Sequence, residues 1–242
     1  MNVLNHFILL GANSVRTKAY LQYMVKSGNV PSQVFLMSTS PQDLLTEVQQ
    51  CRTAPPPIEQ SQIFNINEPI LYTLTSNKIP YQFISTDNVN SVETISAIRS
   101  VAGKYVIYSG FGGQILKPEV LSLGKKFLHV HPGVVPKYRG STTVYYSLLK
   151  EGTIGASAIF LDEKIDCGAV LKAKTFDISN DLLDFDYIVD PHIRASLLVE
   201  VLEEYKVKGY FEIEIQNEQA GETFYIIHPV LKHIALLSLG EL

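Results

Sequence analysis

Clusters of basic residues are missing from this chain. Its lysines are scattered, charged residues make up 18%, and the formal net charge is −4. A protein that grips a phosphate backbone concentrates positive charge on one face, so no nucleic-acid partner is expected. Cysteine is scarce as well: Cys51 and Cys167 are the only two. That is too few for a disulfide framework and suits a reducing cytosol. No apolar run approaches the ~20 residues needed to cross a bilayer. The opening Met-Asn-Val-Leu-Asn-His lacks the basic start and long apolar stretch of a signal peptide. Internal repeats and low-complexity tracts are absent too. The expectation is a soluble, cytoplasmic, mildly acidic globular protein with no membrane partner. Its 242 residues, 46% hydrophobic, suffice for a sizeable core with or without an appendage.

Short apolar runs alternate with helical patterns through most of the chain. Phe7–Leu10 reads as a buried strand, ending at Gly11-Ala12-Asn13-Ser14, and a helix fits Arg16 to Lys26. Val34–Met37 is the next strand and Leu44 to Gln50 the next helix, followed by Thr53-Ala54-Pro55-Pro56-Pro57, which must be loop. Helical patterns at Pro69–Lys78 and Val92–Val101 precede strands at Tyr81–Ile84 and Tyr105–Tyr108 respectively. Strand and helix in repeated alternation predict an α/β, Rossmann-like fold with a mostly parallel sheet covered on both faces. Ligands in such sheets bind beyond the C-terminal strand ends.

After Phe176 the rhythm changes. An acidic loop spans Asn180 to Asp190, and a long helix runs from Pro191 to Lys208 with Gly209 at its end. Phe211–Ile215 alternates with period two, and Thr223–Ile227 is expected to return antiparallel to it as a hairpin with one buried face. This divides the chain into a catalytic domain over 1–176 and a helix-hairpin extension over 177–242. The apolar tail, Pro229 to Leu239, either completes the core or enters a homodimer interface.

The chemistry-bearing segment runs from Tyr108 to Leu171. It holds Ser109-Gly110-Phe111-Gly112-Gly113, then Phe127-Leu128-His129-Val130-His131-Pro132-Gly133, then Pro136-Lys137-Tyr138-Arg139-Gly140, and finally Asp162-Glu163-Lys164-Ile165-Asp166-Cys167-Gly168. His129 and His131 stand two apart at the end of an apolar run, which points both imidazoles to one face of a strand that Pro132 stops. Asp166 follows a strand expected over Ala156–Leu161. A histidine with a carboxylate partner is an acid–base unit, because the carboxylate fixes the tautomer and supports the imidazolium. His-x-His with a distant Asp is also a metal-ligand pattern.

In these residues the chain resembles the folate-dependent formyltransferase family, whose members include the glycinamide ribonucleotide, methionyl-tRNA and sugar N-formyltransferases. The family's central run reads roughly Asn-x-His-Pro-Ser-x-x-Pro-x-Tyr-x-Gly, against His129-Val130-His131-Pro132-Gly133-Val134-Val135-Pro136-Lys137-Tyr138-Arg139-Gly140 here. An Asp-x-Gly-x-Asp-x-Gly element about 35 residues later is matched by Asp162 to Gly168. The resemblance covers residues 105–175 well. It implies that His131 and Asp166 are catalytic and that His129 occupies the place of the family's asparagine. It also implies 10-formyltetrahydrofolate as formyl donor, with the pterin along Gly110, Phe111, Gly112, Gly113, Ile115 and Leu116 and along the Ile159–Asp166 region, which includes Asp162. No resident metal is implied.

The implied reaction is direct acyl transfer to a small-molecule amine, with a nucleotide-linked amino sugar as first guess. On family analogy, the absence of a large RNA-binding domain argues against initiator tRNA as acceptor. Three rival readings stand beside it. One is a formyltetrahydrofolate hydrolase, whose relatives usually carry a further N-terminal domain. The others are a metal-dependent hydrolase built on His129, His131 and Asp166, and a non-catalytic folate-binding homologue. Asn13 and Ser14 are substrate-binding candidates where a phosphate meets a helix N-terminus, or else form a plain strand–helix turn with a cap. Tyr138 and Arg139 are candidates for meeting a substrate anion, with structural pairing as the alternative for Arg139. Cys167, His192, His228 and His233 read as packing or surface residues. Asp181, Asp184 and Asp186 read as a solvated cluster, with Tyr187 and Arg194 as candidates for lining an acceptor pocket.

Overall fold

The computed structural model describes residues 1–53, 63–177 and 184–240. The predicted loop at Ala54–Pro57 and the Asn180–Leu183 part of the acidic loop, with Asp181, lie outside the described residues. The chain divides into two compact units, Met1–Leu128 and His129–Leu242.

Unit 1 contains β1 (Asn2–Ala12), α1 (Val15–Lys26), β2 (Asn29–Met37), α2 (Pro41–Thr53), α3 (Ile70–Ser76), β3 (Tyr81–Ile84), α4 (Val92–Arg99), β4 (Tyr105–Ser109), α5 (Pro118–Leu121) and the first half of β5 (Lys126–His131). The strand order is β3-β2-β1-β4-β5, every pair parallel. Central strands of a parallel sheet are buried on both faces and read as continuous apolar runs. Phe7 to Leu10, Phe35 and Val106 to Ile107 are accordingly fully buried. Each such side chain contributes roughly 1.5–3 kcal/mol, so the sequence's short apolar runs carry the folding drive. The Ser14 hydroxyl accepts from the Thr17 N–H and caps α1, the capping reading of that turn. Arg16 and Thr17 then fill the end of β4: Arg16 Nε donates to Ser109 Oγ at 3.1 Å and Thr17 Oγ1 to the Ser109 carbonyl at 3.1 Å.

Unit 2 contains the end of β5, β6 (Tyr138–Gly140), α6 (Thr143–Glu151), β7 (Ile154–Phe160), β8 (Val170–Phe176), a π-helical turn at Phe185–Val189 leading into α7 (Asp190–Lys208), β9 (Glu222–Phe224) and α8 (Pro229–Leu237). The order is β5-β7-β8, with β7 and β8 antiparallel, and β6 pairs with β9 in parallel. The long helix ends as expected at Gly209, whose φ of +79° suits glycine.

The predicted hairpin is not formed. Glu214 instead makes an antiparallel bridge with Val170, exchanging two hydrogen bonds of 2.8 Å, and Glu222–Phe224 joins β6. Backbone donors and acceptors of the two segments are thus committed to other partners. Ile213 and Ile215 are exposed, so their alternation marks no buried face. The acidic cluster also differs from expectation. Asp184 caps the π-helical turn through the Tyr187 N–H at 3.0 Å, and Asp186 accepts from Tyr145 and pairs with Lys232.

Candidate active site

β5 delivers His129 and His131. Val130 points to the opposite side of the strand, and donor atoms of His129, His131 and Asp166 gather within 4.8 Å of one another. His129 is half-buried, whereas His131 is 1% exposed. The sequence-predicted trio is therefore brought together.

The hydrogen bonds of His131 fix its tautomer. Nε2 lies 2.8 Å from the Tyr138 carbonyl, which can only accept, so Nε2 carries the proton. Thr143 Oγ1 lies 3.1 Å from the same nitrogen and donates its own proton to the Pro132 carbonyl at 2.6 Å. It therefore accepts from Nε2–H as well. The Nδ1 lone pair then faces Asp166 Oδ2 at 3.3 Å. Burial pushes the imidazole below its ordinary range, while the Asp166 carboxylate and the Tyr138 carbonyl pull it back up; Arg194 lowers and Asp190 raises it further. The pair is a sheltered proton acceptor, since a proton arriving at Nδ1 or Oδ2 is bridged by both.

The Asp166 carboxylate is held by the Gly140 N–H at 2.9 Å. Behind the strand, Arg194 on α7 donates through Nε to the Val130 carbonyl at 2.8 Å and pairs with Asp190 Oδ2 at 3.2 Å. Its guanidinium thus supports the strand between the two histidines. The loop after β5 is tied to β7 by Ser157, which donates to the Gly133 carbonyl at 2.8 Å and accepts from the Val135 N–H at 3.0 Å.

The other predicted residues fall elsewhere. Tyr138 serves through its carbonyl, and its ring stacks on Phe224 with centroids 5.5 Å apart. Arg139 is buried, with Nη1 on Cys167 Sγ at 3.1 Å and Nη2 on the Gly221 carbonyl at 3.0 Å, the structural-pairing alternative. Asp162 is exposed and accepts from the Glu163 N–H at the start of the Asp166 loop. In unit 1, the Gly110 carbonyl accepts from Arg16, and the Ile115 carbonyl accepts from Asn90 at 2.9 Å. Phe111 is half-buried between these points and Leu116 is buried. Gly112 and Gly113 face open space, and Gly113 has φ +78°, which leaves room for a flat ring against the backbone. Asn13 is exposed beside the Ser14 cap. A cavity of about 430 Å³ in unit 1, lined by Gln82, Ser85, Ser96 and Ser100 among others, contains none of these residues.

Thr143, Gly140 and Gln216 are site-supporting residues that the sequence reading missed. Thr143 and Gln216 each make two hydrogen bonds here and Gly140 one through its N–H, across sequence separations that no spacing rule marks.

Residues 16–184 match the sequence profile of the family described as formyl transferase. Methionyl-tRNA formyltransferase from Finegoldia magna is 26% identical over 158 residues, 62% of this chain and 49% of that protein. The chain spans about half the length of the curated relatives it matches. A solved sugar N-formyltransferase from Shewanella sp FDAARGOS_354 has TM-score 0.58 and 17% identity, over 96% of this chain and 87% of its own. An N-formyltransferase from Helicobacter canadensis, solved with folinic acid and dTDP-3-aminofucose, has TM-score 0.53 and 15% identity, over 92% and 71%. At these identities the solved structures establish the shared fold. Among the described residues no helix is long and apolar enough to cross a membrane.

Proposed function

Because the chain belongs to the formyl transferase family, we propose that it moves a formyl group from 10-formyltetrahydrofolate to the amine of a small molecule in the cytoplasm, with a nucleotide-linked amino sugar as the acceptor class. The observation that carries this reading is the His129–His131–Asp166 cluster, in which a proton-accepting pair lies beside a second imidazole. The amine nitrogen attacks the formyl carbon, and the carbonyl electrons move onto oxygen. A His129 N–H meets that oxyanion, a contact worth roughly 2.7–4 kcal/mol in comparable sites. The attacking nitrogen's proton passes to the Asp166–His131 pair and on to the departing folate nitrogen as the tetrahedral carbon collapses. Proton and formyl group are both conserved, and no covalent enzyme intermediate is required. The acceptor class draws support from the fold shared with sugar N-formyltransferases over 96% of the chain.

We retain 1–176 as the catalytic domain and 177–242 as the extension. Tyr225, Ile226, Val230, Ile234 and Leu237 of the extension are exposed apolar side chains, and they support a homodimer interface there.

A second reading has one observation in its favour. The Nε2–H of His131 rests on a carbonyl, the usual outer contact of a metal-bound imidazole, and leaves Nδ1 facing the cluster. A metal-dependent hydrolase would use these three donors. One experiment separates the readings: purified protein is incubated with 10-formyltetrahydrofolate, with and without a panel of nucleotide-linked amino sugars. An N-formylated product supports the transferase. Formate released without acceptor supports the folate hydrolase, and stoichiometric zinc or iron with no folate turnover overturns both.

A further inference from the structure

Asp166 has φ +52°, the left-handed region, which aspartate enters more readily than most residues but at a cost that its surroundings offset. Besides the Gly140 N–H on its carboxylate, one side chain from beyond the family-matched segment holds the backbone of this turn. Gln216 donates one Nε2 hydrogen to the Asp166 carbonyl at 2.8 Å and the other to the Gly168 carbonyl at 2.7 Å. It is 8% exposed, and its Oε1 has no hydrogen-bond partner among the described residues. A buried amide with an idle acceptor is a cost to the fold. Its presence is accounted for by what its donors do.

The surroundings leave the loop little other freedom. The Glu214–Val170 bridge delivers Gln216 to this position. A Cβ on Gly168 would fall 1.8 Å from the Phe160 carbonyl oxygen, so that end of the loop is pressed onto β7. Between these anchors the Asp166 carboxylate projects to His131 Nδ1 and the Gly140 N–H.

We propose that Gln216 is a positioning residue for the reaction: its carboxamide clamps the left-handed Asp166 turn and so keeps the carboxylate on His131. The proposal rests on the formyl-transfer reading of the site. Gln216 touches no reacting atom, so its loss degrades the chemical step and leaves folate binding intact.

The test compares wild type with Gln216→Met, which keeps the volume and removes both donors, and Gln216→Asn, which keeps the amide on a shorter stem. Turnover, thermal melting and the His131 ring resonances by nitrogen-15 NMR are measured on the full chain. For Gln216→Met, kcat is expected to fall about 10- to 100-fold, as for a small misplacement of a catalytic group. KM for the folate should stay within about 2-fold of wild type, and the His131 resonances should move. Gln216→Asn should recover part of the lost kcat, and it decides the matter alone if Gln216→Met does not fold. Wild-type kcat in the folded variants, or kcat and KM lost together with melting temperature, overturns the proposal. Should wild type transfer no formyl group, the ring resonances decide: displaced in the variants, the clamp stands and only the transfer reading falls; unchanged, the clamp is overturned.

Discussion

Gly133→Ala tests how tightly the His131 environment is packed. A Cβ at this glycine would lie 2.8 Å from Thr143 Oγ1, 2.9 Å from the Tyr138 carbonyl oxygen and 3.0 Å from His131 Nε2. The φ of Gly133 is not in the left-handed region, so the conflict is one of space. Two of the three neighbours cannot yield cheaply: one is backbone, and the other is a ring held by two hydrogen bonds. Overpacking a tight site costs about 1–3 kcal/mol, and the rigid neighbours put this case in the upper half. The smaller entropy of an unfolded alanine returns about 0.4–1 kcal/mol. The net loss is then about 1–2.5 kcal/mol, or roughly 2–10 °C in Tm for a chain of this size. Differential scanning calorimetry gives the Tm, and the added methyl should also shift the His131 ring resonances. An unchanged or raised Tm with unmoved His131 resonances would refute the packing argument. The family motif carries serine at this place, so the crowding around Gly133 belongs to this chain's own arrangement of Thr143 and Tyr138.

Two further outcomes follow from the histidines. His129→Asn installs an amide donor whose hydrogen bond does not depend on protonation. Turnover should persist, because the amide donates whatever the pH; loss of all turnover would show that the imidazole does more than donate. His131 is held below its ordinary pKa of 6.5 by burial. The unfolded chain therefore binds the proton first as pH falls, so the contribution to stability is complete above about pH 6.5 and is lost below it. Wild-type Tm should drop more steeply than that of His131→Gln between about pH 7 and 5.5, and parallel curves would contradict the assignment.

The sequence exposes what rests on local pattern. Buried central strands were visible because a parallel sheet demands apolar side chains on both faces, as at Phe7–Leu10 and Tyr105–Tyr108. His129 and His131 were visible because a strand places alternate residues on one side, and Asp166 because the resemblance gave its spacing. Partner choice was not visible. The alternation at Phe211–Ile215 says nothing about which backbone will pair with it, and Val170 rather than Thr223–Ile227 supplies the partner. Arg139 looks like a substrate ligand in sequence because a cation in a motif loop has no stated partner; the fold supplies Cys167 and Gly221. Tyr138 acts through a carbonyl, an atom every residue possesses, and Gln216 reaches Asp166 across 50 residues.

Isothermal titration of the purified protein with a stable 10-formyltetrahydrofolate analogue, for wild type and Asp166→Ala, tests the central claim most directly. The account predicts saturable binding by wild type near one site per chain, largely retained in Asp166→Ala because that carboxylate faces His131 and serves the proton rather than the folate. No binding at high micromolar analogue, together with stoichiometric bound zinc or iron, would contradict it and assign the His129–His131–Asp166 cluster to a metal.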